Sequence, residues 1–172
     1  SSELYAGELL SDYLYKISGV RLPIVKESFS KKLFTSGKYL SVGKTNLLSS
    51  MHFDFSKIDF NIDGFFFFFV ENTLFLCGGD SQRGTFYAIF DYLESCLGAR
   101  FFAPDCEKLL PQSKILLPNL DVVDVPAFAR RAIVTNVLAD PDYQIRARLF
   151  GYNWNKNVEG KYGEMYSDFV CG

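Results

Sequence analysis

The sequence has few of the residues that usually bind metals or transfer protons. Among its 172 residues are a single histidine, His52, and four cysteines without a C-x-x-C pair. A histidine-rich metal site, an H-E-x-x-H metalloprotease and a mechanism with two histidines are therefore excluded. No nucleophile-elbow pattern surrounds His52 and its neighbours Ser49 and Ser50, so we interpret His52 as a loop or surface residue. We predict no metal and no cofactor.

Clustered positive charge and long apolar runs are also absent. The net charge is −2, and the densest basic pairs are Lys31-Lys32 and Arg130-Arg131. Nucleic-acid binders usually carry a basic stripe, so we predict no nucleic-acid partner. The longest apolar run, residues 64–70, is far too short to span a bilayer, and we predict no membrane span. The cysteines, Cys77, Cys96, Cys106 and Cys171, are widely spaced, which favours buried free thiols. A single disulfide between two of them is the alternative.

Aromatic residues are abundant, with 18 Phe and 10 Tyr in a chain that is 48% hydrophobic and 22% charged. This composition is typical of a globular protein with an aromatic core. The exposed tyrosines could instead be stacking surfaces for sugars or bases.

The clearest pattern is a strand, a turn, a helix and a second strand. An apolar run over residues 73–77 ends at Gly78-Gly79, and an aromatic strand over residues 100–104 follows Gly98. Between them, apolar residues recur with helical spacing at Phe86, Ile89, Phe90, Leu93 and Leu97. This unit predicts an α/β fold.

Other segments extend this α/β prediction. We predict a helix over residues 3–17 that ends at Gly19, and a short strand over residues 21–25. Five consecutive Phe, residues 65–69, predict a central strand covered on both faces, and Glu71-Asn72 predicts an antiparallel hairpin with residues 73–77. Past Pro126, the sequence predicts a strand over residues 132–137 and a short helix over residues 141–150.

Two motifs were weighed as catalytic or anion-binding sites. Residues 79–85 have the glycine spacing of a phosphate loop but lack its lysine. We interpret them as a tight turn capped by Asp80 or Ser81, with Gly84 allowing close packing; anion binding at the helix start is the alternative. A glycosidase needs two carboxylates, and no distinctive motif surrounds the candidates, which are Asp80, Asp91, Glu94, Asp105 and Glu107.

A family resemblance covers residues 3–126. The segments that carry it are Gly78-Gly79-Asp80, Arg83-Gly84-Thr85-Phe86-Tyr87-Ala88, Phe90-Asp91-Tyr92-Leu93-Glu94, Leu97-Gly98-Ala99-Arg100-Phe101-Phe102-Ala103-Pro104-Asp105 and Pro111, with Leu22-Pro23-Ile24 and Leu40-Ser41-Val42-Gly43-Lys44-Thr45 near the start. Together they resemble the small N-terminal domain that precedes the barrel in family 20 β-N-acetylhexosaminidases, in α-glucuronidases and in related uncharacterised secreted bacterial proteins.

The resemblance implies a mixed β-sheet with two main helices packed on one face. It also implies that residues 1–126 form an accessory domain and residues 127–172 the truncated start of a barrel-like domain, with the catalytic residues in the barrel. The chain alone is then not expected to be catalytic, although its parent protein could be a glycoside hydrolase. A secreted, periplasmic or cell-surface location is expected, with a signal peptide removed before Ser1-Ser2.

The segment Pro126-Ala127-Phe128-Ala129-Arg130-Arg131 is similar to the family's entry into the first barrel strand. There an arginine contacts sugar hydroxyls, so the resemblance implies that Arg131 binds substrate; a surface or domain-interface ion pair is the alternative. Hexosaminidases have glycine at the position of Ala132 and aspartate at that of Asn136, so the resemblance does not predict their specificity.

Three functions follow from these observations. The first is a non-catalytic accessory domain that supports the C-terminal catalytic domain of the same protein. The second is a carbohydrate-binding module that stacks sugars on Tyr39, Tyr143, Tyr152 and Trp154. The third is a protein-interaction domain with an apolar docking surface. Arg131, Tyr152 and Trp154 are the predicted substrate-binding residues.

Overall fold

The structure, a computed structural model, describes residues 2–27, 37–51, 58–60, 63–79, 82–115, 117, 121–128, 131 and 140–149. The helices are α1 (Ser2–Ser18), α2 (Asn46–Ser50), α3 (Gln82–Ser95) and α4 (Pro141–Arg146). The strands are β1 (Tyr39–Val42), β2 (Phe65–Val70), β3 (Thr73–Gly78), β4 (Arg100–Ala103), β5 (Cys106–Lys108) and β6 (Val122–Asp124). The predicted strand over residues 132–137 lies outside the described residues.

A mixed four-stranded sheet with the order β1-β3-β2-β6 forms the centre of the fold. Strand β1 pairs parallel to β3, whereas β2 is antiparallel to both β3 and β6. Residues from α1 and α3 bury their apolar stripes in one core cluster with Phe65, Phe67, Leu74 and Leu76. The predicted α/β fold with a mixed sheet is thus confirmed, and both long helices cover one face.

The five-phenylalanine strand is central, as predicted. Its side chains alternate, so Phe65 and Phe67 pack under the helices while Phe66 and Phe68 belong to a second cluster on the opposite face. Leu48 of α2 and Phe60 cover that second face. Each buried Phe contributes about 2 kcal/mol by leaving water, so a strand that is apolar on both faces is stable only in this interior position.

The predicted hairpin is confirmed with the predicted turn. Strands β2 and β3 pair from Phe65 with Gly78 to Val70 with Thr73, which leaves Glu71 and Asn72 as the connection. Both turn residues have positive φ, 47° and 67°. Two positive φ values are what a type I′ turn requires, and this turn matches the twist of the strands.

The turn gives a first testable prediction, because glutamate is poorly suited to the left-handed region. Glu71→Asn should raise the free energy of unfolding by about 1 kcal/mol, since asparagine tolerates this backbone conformation better. Urea denaturation would measure the change. Asn72→Ala is the matched control and should lower the stability; a loss of stability in both variants would contradict the assignment of the turn.

Helix α1 ends as the sequence predicts, but the strand predicted after it is wrong. Gly19 has φ 73°, and its N–H donates to the Tyr15 carbonyl at 2.8 Å. Residues 20–26 have no regular secondary structure and are exposed. The Ser11 hydroxyl donates to the Leu22 carbonyl at 2.9 Å, and Pro23 has no N–H, so this backbone lacks the free groups that a sheet edge needs.

The segment after α3 forms a separate small sheet. Strands β4 and β5 pair antiparallel with an irregularity between Phe101 and Ala103. The strand predicted over residues 100–104 is therefore present, but it lies outside the main sheet. The predicted helix after Pro141 is present as α4, which Asp140 caps by accepting from the backbone N–H groups of Asp142 and Tyr143.

Candidate functional site

The double glycine and the start of α3 form a corner in which backbones touch. A Cβ on Gly84 would lie 2.5 Å from the Gly64 carbonyl oxygen and 2.7 Å from the Cα of Gly78. A Cβ on Gly78 would lie 2.6 Å from the backbone nitrogen of Thr85. The Thr85 hydroxyl accepts from the Gly78 N–H at 3.0 Å and completes the end of β3. The prediction that Gly84 allows close packing is confirmed, whereas the capping residues Asp80 and Ser81 lie outside the described residues.

Next to this corner lies a buried carboxylate, Asp63, which is two residues before the start of β2. Its side chain is 2% exposed. One oxygen accepts from Arg83 Nε at 2.9 Å and the other from Arg131 Nη2 at 2.6 Å. Arg83 lies in the first turn of α3 and is itself buried. Asp63 therefore joins a helix of the α/β unit to a residue that follows Pro126.

Arg131 is held by fixed acceptors on three sides. Its Nε donates to the Arg148 carbonyl at 2.9 Å, and its Nη1 donates to the Phe128 carbonyl at 2.6 Å. Its guanidinium carbon also lies 5.8 Å from the centre of the Tyr87 ring. The side chain is 19% exposed. All three guanidinium nitrogens thus donate to protein oxygens. The bond to Asp63 is an ion pair, which was the alternative to substrate binding for Arg131.

Tyr87 packs its ring against the Arg131 guanidinium of this cluster. It is fully buried in α3, and its hydroxyl donates to the Leu149 carbonyl at 3.4 Å. Burial and the nearby Asp63 carboxylate raise the pKa of Tyr87 to about 12, despite the opposing charges of Arg83 and Arg131. A neutral phenol at physiological pH is a hydrogen-bond donor here and not a base.

The chemistry of this cluster favours a structural role. An arginine guanidinium stays protonated at any physiological pH, so neither Arg83 nor Arg131 can transfer a proton. Asp63 accepts from both arginines, and its side chain is shielded from solvent. Removing one member of such a buried pair leaves an uncompensated charge and is strongly destabilising. The arrangement can hold two chain segments together, but it presents no nucleophile and no acid.

Three of the five glycosidase candidates, Asp91, Glu94 and Glu107, form ion pairs, whereas Asp80 lies outside the described residues. Asp91 and Glu94 both accept from Arg148 Nη2, at 2.8 and 2.7 Å. Glu107 accepts from Lys16 Nζ at 2.9 Å and from the Tyr13 hydroxyl at 3.0 Å. These contacts join α1, α3, β5 and the residues around α4.

The environment of Glu107 keeps it charged. Burial by itself would raise the pKa of this carboxyl, but hydrogen bonds from Lys16 and Tyr13 and the charges of Lys16 and Arg146 lower it below its ordinary value. A glycosidase acid needs a raised pKa. Glu107 is therefore suited to bridging cations and not to protonating a leaving group.

The remaining predicted binding residues are only partly described. Tyr39 and Tyr143 are partly buried, and the Tyr143 hydroxyl donates to the Phe102 carbonyl at 2.9 Å, so neither is the exposed platform that was predicted. Tyr152 and Trp154 lie outside the described residues, as does His52. Sequence reasoning missed Asp63; its position two residues before the central strand β2 was the available clue.

The cysteines differ in their surroundings. Cys77 is buried, and burial raises the pKa of its thiol to about 12. Cys96 is partly buried and Cys106 is exposed; all three are free thiols. The prediction of buried thiols is confirmed for Cys77 and wrong for Cys106, which lies on the short β4–β5 sheet at the surface. Cys171 lies outside the described residues.

Neither a site with three or more potential metal ligands nor a membrane-spanning helix is found among the described residues. Within them, no cluster of three or more His, Cys, Asp or Glu side chains could hold a metal ion. None of the helices in this part of the chain combines the length and apolar character needed to cross a bilayer.

Comparisons of this chain with protein-family models, with curated proteins and with solved structures found no match.

Proposed function

We propose that this chain is a non-catalytic α/β accessory domain of a secreted, carbohydrate-active protein of the glycoside hydrolase type, and that it supports a catalytic domain that follows it. The observation that carries the proposal is the double ion pair of Asp63. One buried carboxylate binds Arg83 of α3 and Arg131 beyond Pro126. A domain that acts as a support needs such a rigid connection to the segment that leads into its neighbour.

Two further features support a role without chemistry. The glycine corner is filled by backbone atoms where Gly84 meets Gly64 and Gly78, so the close approach of these glycines is explained by packing. The candidate carboxylates Asp91, Glu94 and Glu107 each accept from an arginine or lysine. Glu107, whose pKa is lowered by its partners, lacks the raised pKa that the acid of a glycosidase needs.

Carbohydrate binding by this chain is the second candidate, and Arg131 is the observation that favours it. Three of its five N–H groups donate to protein oxygens, and the side chain keeps 19% exposure beside the exposed Phe128. The remaining two N–H groups could donate to sugar hydroxyls. In this proposal Asp63 fixes the orientation of an arginine that contacts the substrate of the neighbouring domain.

The proposal predicts no turnover of aryl glycosides by the purified chain above that of the buffer. A panel of aryl glycosides of both anomers, including a β-N-acetylglucosaminide and an α-glucuronide, would test this with a chromogenic assay. Turnover that persists in the native chain and disappears in Glu107→Gln or Glu94→Gln would contradict the non-catalytic role. Turnover that is unchanged in both variants would indicate a different catalytic group and contradict it equally.

Calorimetry separates the two candidates. Titration with monosaccharides and short oligosaccharides should give no heat of binding if the chain is only a support. Sugar binding that is lost in Arg131→Met and kept in Arg21→Met would favour the second candidate. Arg21 is the matched control because it lies in an exposed ion pair with Asp12 on α1.

A further inference from the structure

Residues 140–149, which we call the strap, are fastened to the α/β unit by arginine ion pairs, by the buried Ile145 and by the Tyr143 hydroxyl. Arg148 Nη2 bridges Asp91 and Glu94 of α3 at 2.8 and 2.7 Å. All three side chains are between 22% and 32% exposed, so water and salt reach them. Ion pairs with this exposure are weakened by screening, unlike the buried pairs of Asp63.

The second ionic contact of the strap involves Glu107. Arg146 Nη1 lies 3.6 Å from a Glu107 oxygen. On the other side of Glu107, α1 contributes the Lys16 ammonium and the Tyr13 hydroxyl. The negative charge of Asp142, on α4, also acts on the Tyr13 hydroxyl. Glu107 therefore contacts both α1 of the α/β unit and Arg146 of the strap.

Apolar contacts also hold the strap. Ile145 is fully buried, whereas Tyr143 and Leu149 are only partly covered. Helix α4 has six residues, which is too short to be stable without its tertiary contacts. Arg148 has φ 54°, a left-handed conformation that is unfavourable for a non-glycine residue. The attachment is thus a balance in which the buried Ile145 and the ion pairs oppose local strain and chain entropy.

The strap covers the buried charge cluster. Its Arg148 carbonyl accepts from Arg131, and its Leu149 carbonyl accepts from Tyr87. When the strap lifts, Arg131 loses one of its three acceptors and Tyr87 loses its hydroxyl partner. The contact between Asp63 and Arg131 then becomes accessible to solvent from this side.

We propose that the strap is an ionic latch, which opens locally while the sheet stays folded when salt screens its arginine–carboxylate pairs or when acid protonates Glu107, and that its opening uncovers the Asp63–Arg131 pair. This proposal rests on the described contacts of residues 140–149 and does not depend on the proposed role with carbohydrates.

The response to acid has a definite sign. Glu107 has a lowered pKa in the folded chain, so its contribution to the latch is complete above the ordinary carboxyl pKa. That contribution is lost as the pH falls through the lowered value. Salt is therefore the way to open the latch at neutral pH, and acid adds to it below the ordinary glutamate range.

Hydrogen exchange measured by mass spectrometry tests the latch directly. The N–H groups of Gln144, Ala147 and Leu149 donate to carbonyls within the strap, so they exchange when it opens. Raising NaCl from about 0.02 to about 1 M should speed their exchange by about 5- to 30-fold, the effect expected when several exposed ion pairs are screened. The amides of β2 and β3 should not respond, because the hairpin remains folded.

Variants identify the ion pairs responsible. The double variant Asp91→Asn/Glu94→Gln should exchange rapidly in the strap at low salt and respond weakly to added salt. Asp12→Asn removes the exposed pair with Arg21 on α1 and should leave exchange in the strap unchanged. The proposal would be overturned if the exchange rates of the strap amides in the native chain did not change with salt. It would also be overturned if these amides exchanged only together with those of the hairpin. If the double variant fails to fold, the salt series on the native chain decides.

Discussion

Replacing Gly84 by alanine is expected to lower the free energy of unfolding by about 3 kcal/mol or more, one of the two largest effects in this chain. The added Cβ would meet the Gly64 carbonyl oxygen at 2.5 Å and the Gly78 Cα at 2.7 Å. Both are backbone atoms within the central sheet or its entry, so no side-chain rotation relieves the contact. The end of β3 and the start of α3 would have to separate.

The matched control for this substitution is Gly7→Ala. Gly7 lies within α1, and a Cβ there would only reach Ile24 at 4.0 Å. Because alanine is the better helix former, this variant should be more stable by about 0.5–1 kcal/mol. Urea denaturation of both variants measures the difference. A Gly84→Ala protein with native stability would show that the corner is not closely packed.

Asp63→Ala is expected to lower the free energy of unfolding by about 3–5 kcal/mol, because it leaves the Arg83 charge buried without this carboxylate. Arg131 would lose the same partner. Asp63→Asn should cost less, since the amide oxygen can still accept a hydrogen bond although the ionic attraction is lost. Thermal and urea denaturation should rank the native chain above the asparagine variant, and that variant above the alanine variant.

Asp12→Ala is the control for this ranking. Asp12 pairs with Arg21, but both side chains are more than half exposed. Exposed ion pairs contribute little to the free energy of unfolding, so the stability of this variant should match that of the native chain within a few tenths of a kcal/mol. If Asp12→Ala and Asp63→Ala lowered the free energy of unfolding equally, burial would not be what makes the ion pairs of Asp63 important for stability.

Local patterns predicted much of the fold. The helical spacing from Phe86 to Leu97 gave α3, and the run of five Phe with Glu71-Asn72 gave the central hairpin. These segments could be predicted because one period or one turn determines each of them. The strand predicted over residues 21–25 failed because a hydrogen bond from Ser11, distant in sequence, uses its backbone. No local pattern contains that contact.

The candidate site was harder to predict for the same reason. The contact between Asp63 and Arg131 joins residues 68 positions apart. The resemblance drew attention to Arg131, but nothing near Asp63-Gly64 distinguishes a turn from a buried ion pair. The interactions of Arg148 with Asp91 and Glu94 join residues 57 and 54 positions apart, and they depend on how residues 140–149 lie across α3. Long-range charge pairing needs the tertiary structure.

A double-mutant cycle on Asp63 and Arg131 tests the central claim, which is that one buried carboxylate connects the α/β unit to the chain beyond Pro126. The free energy of unfolding would be measured for the native chain, Asp63→Ala, Arg131→Met and the double variant. We expect a coupling of about 1–3 kcal/mol, because contacting residues in one network are not additive. Additivity within about 0.5 kcal/mol would contradict the claim, since it would mean that the two residues act independently.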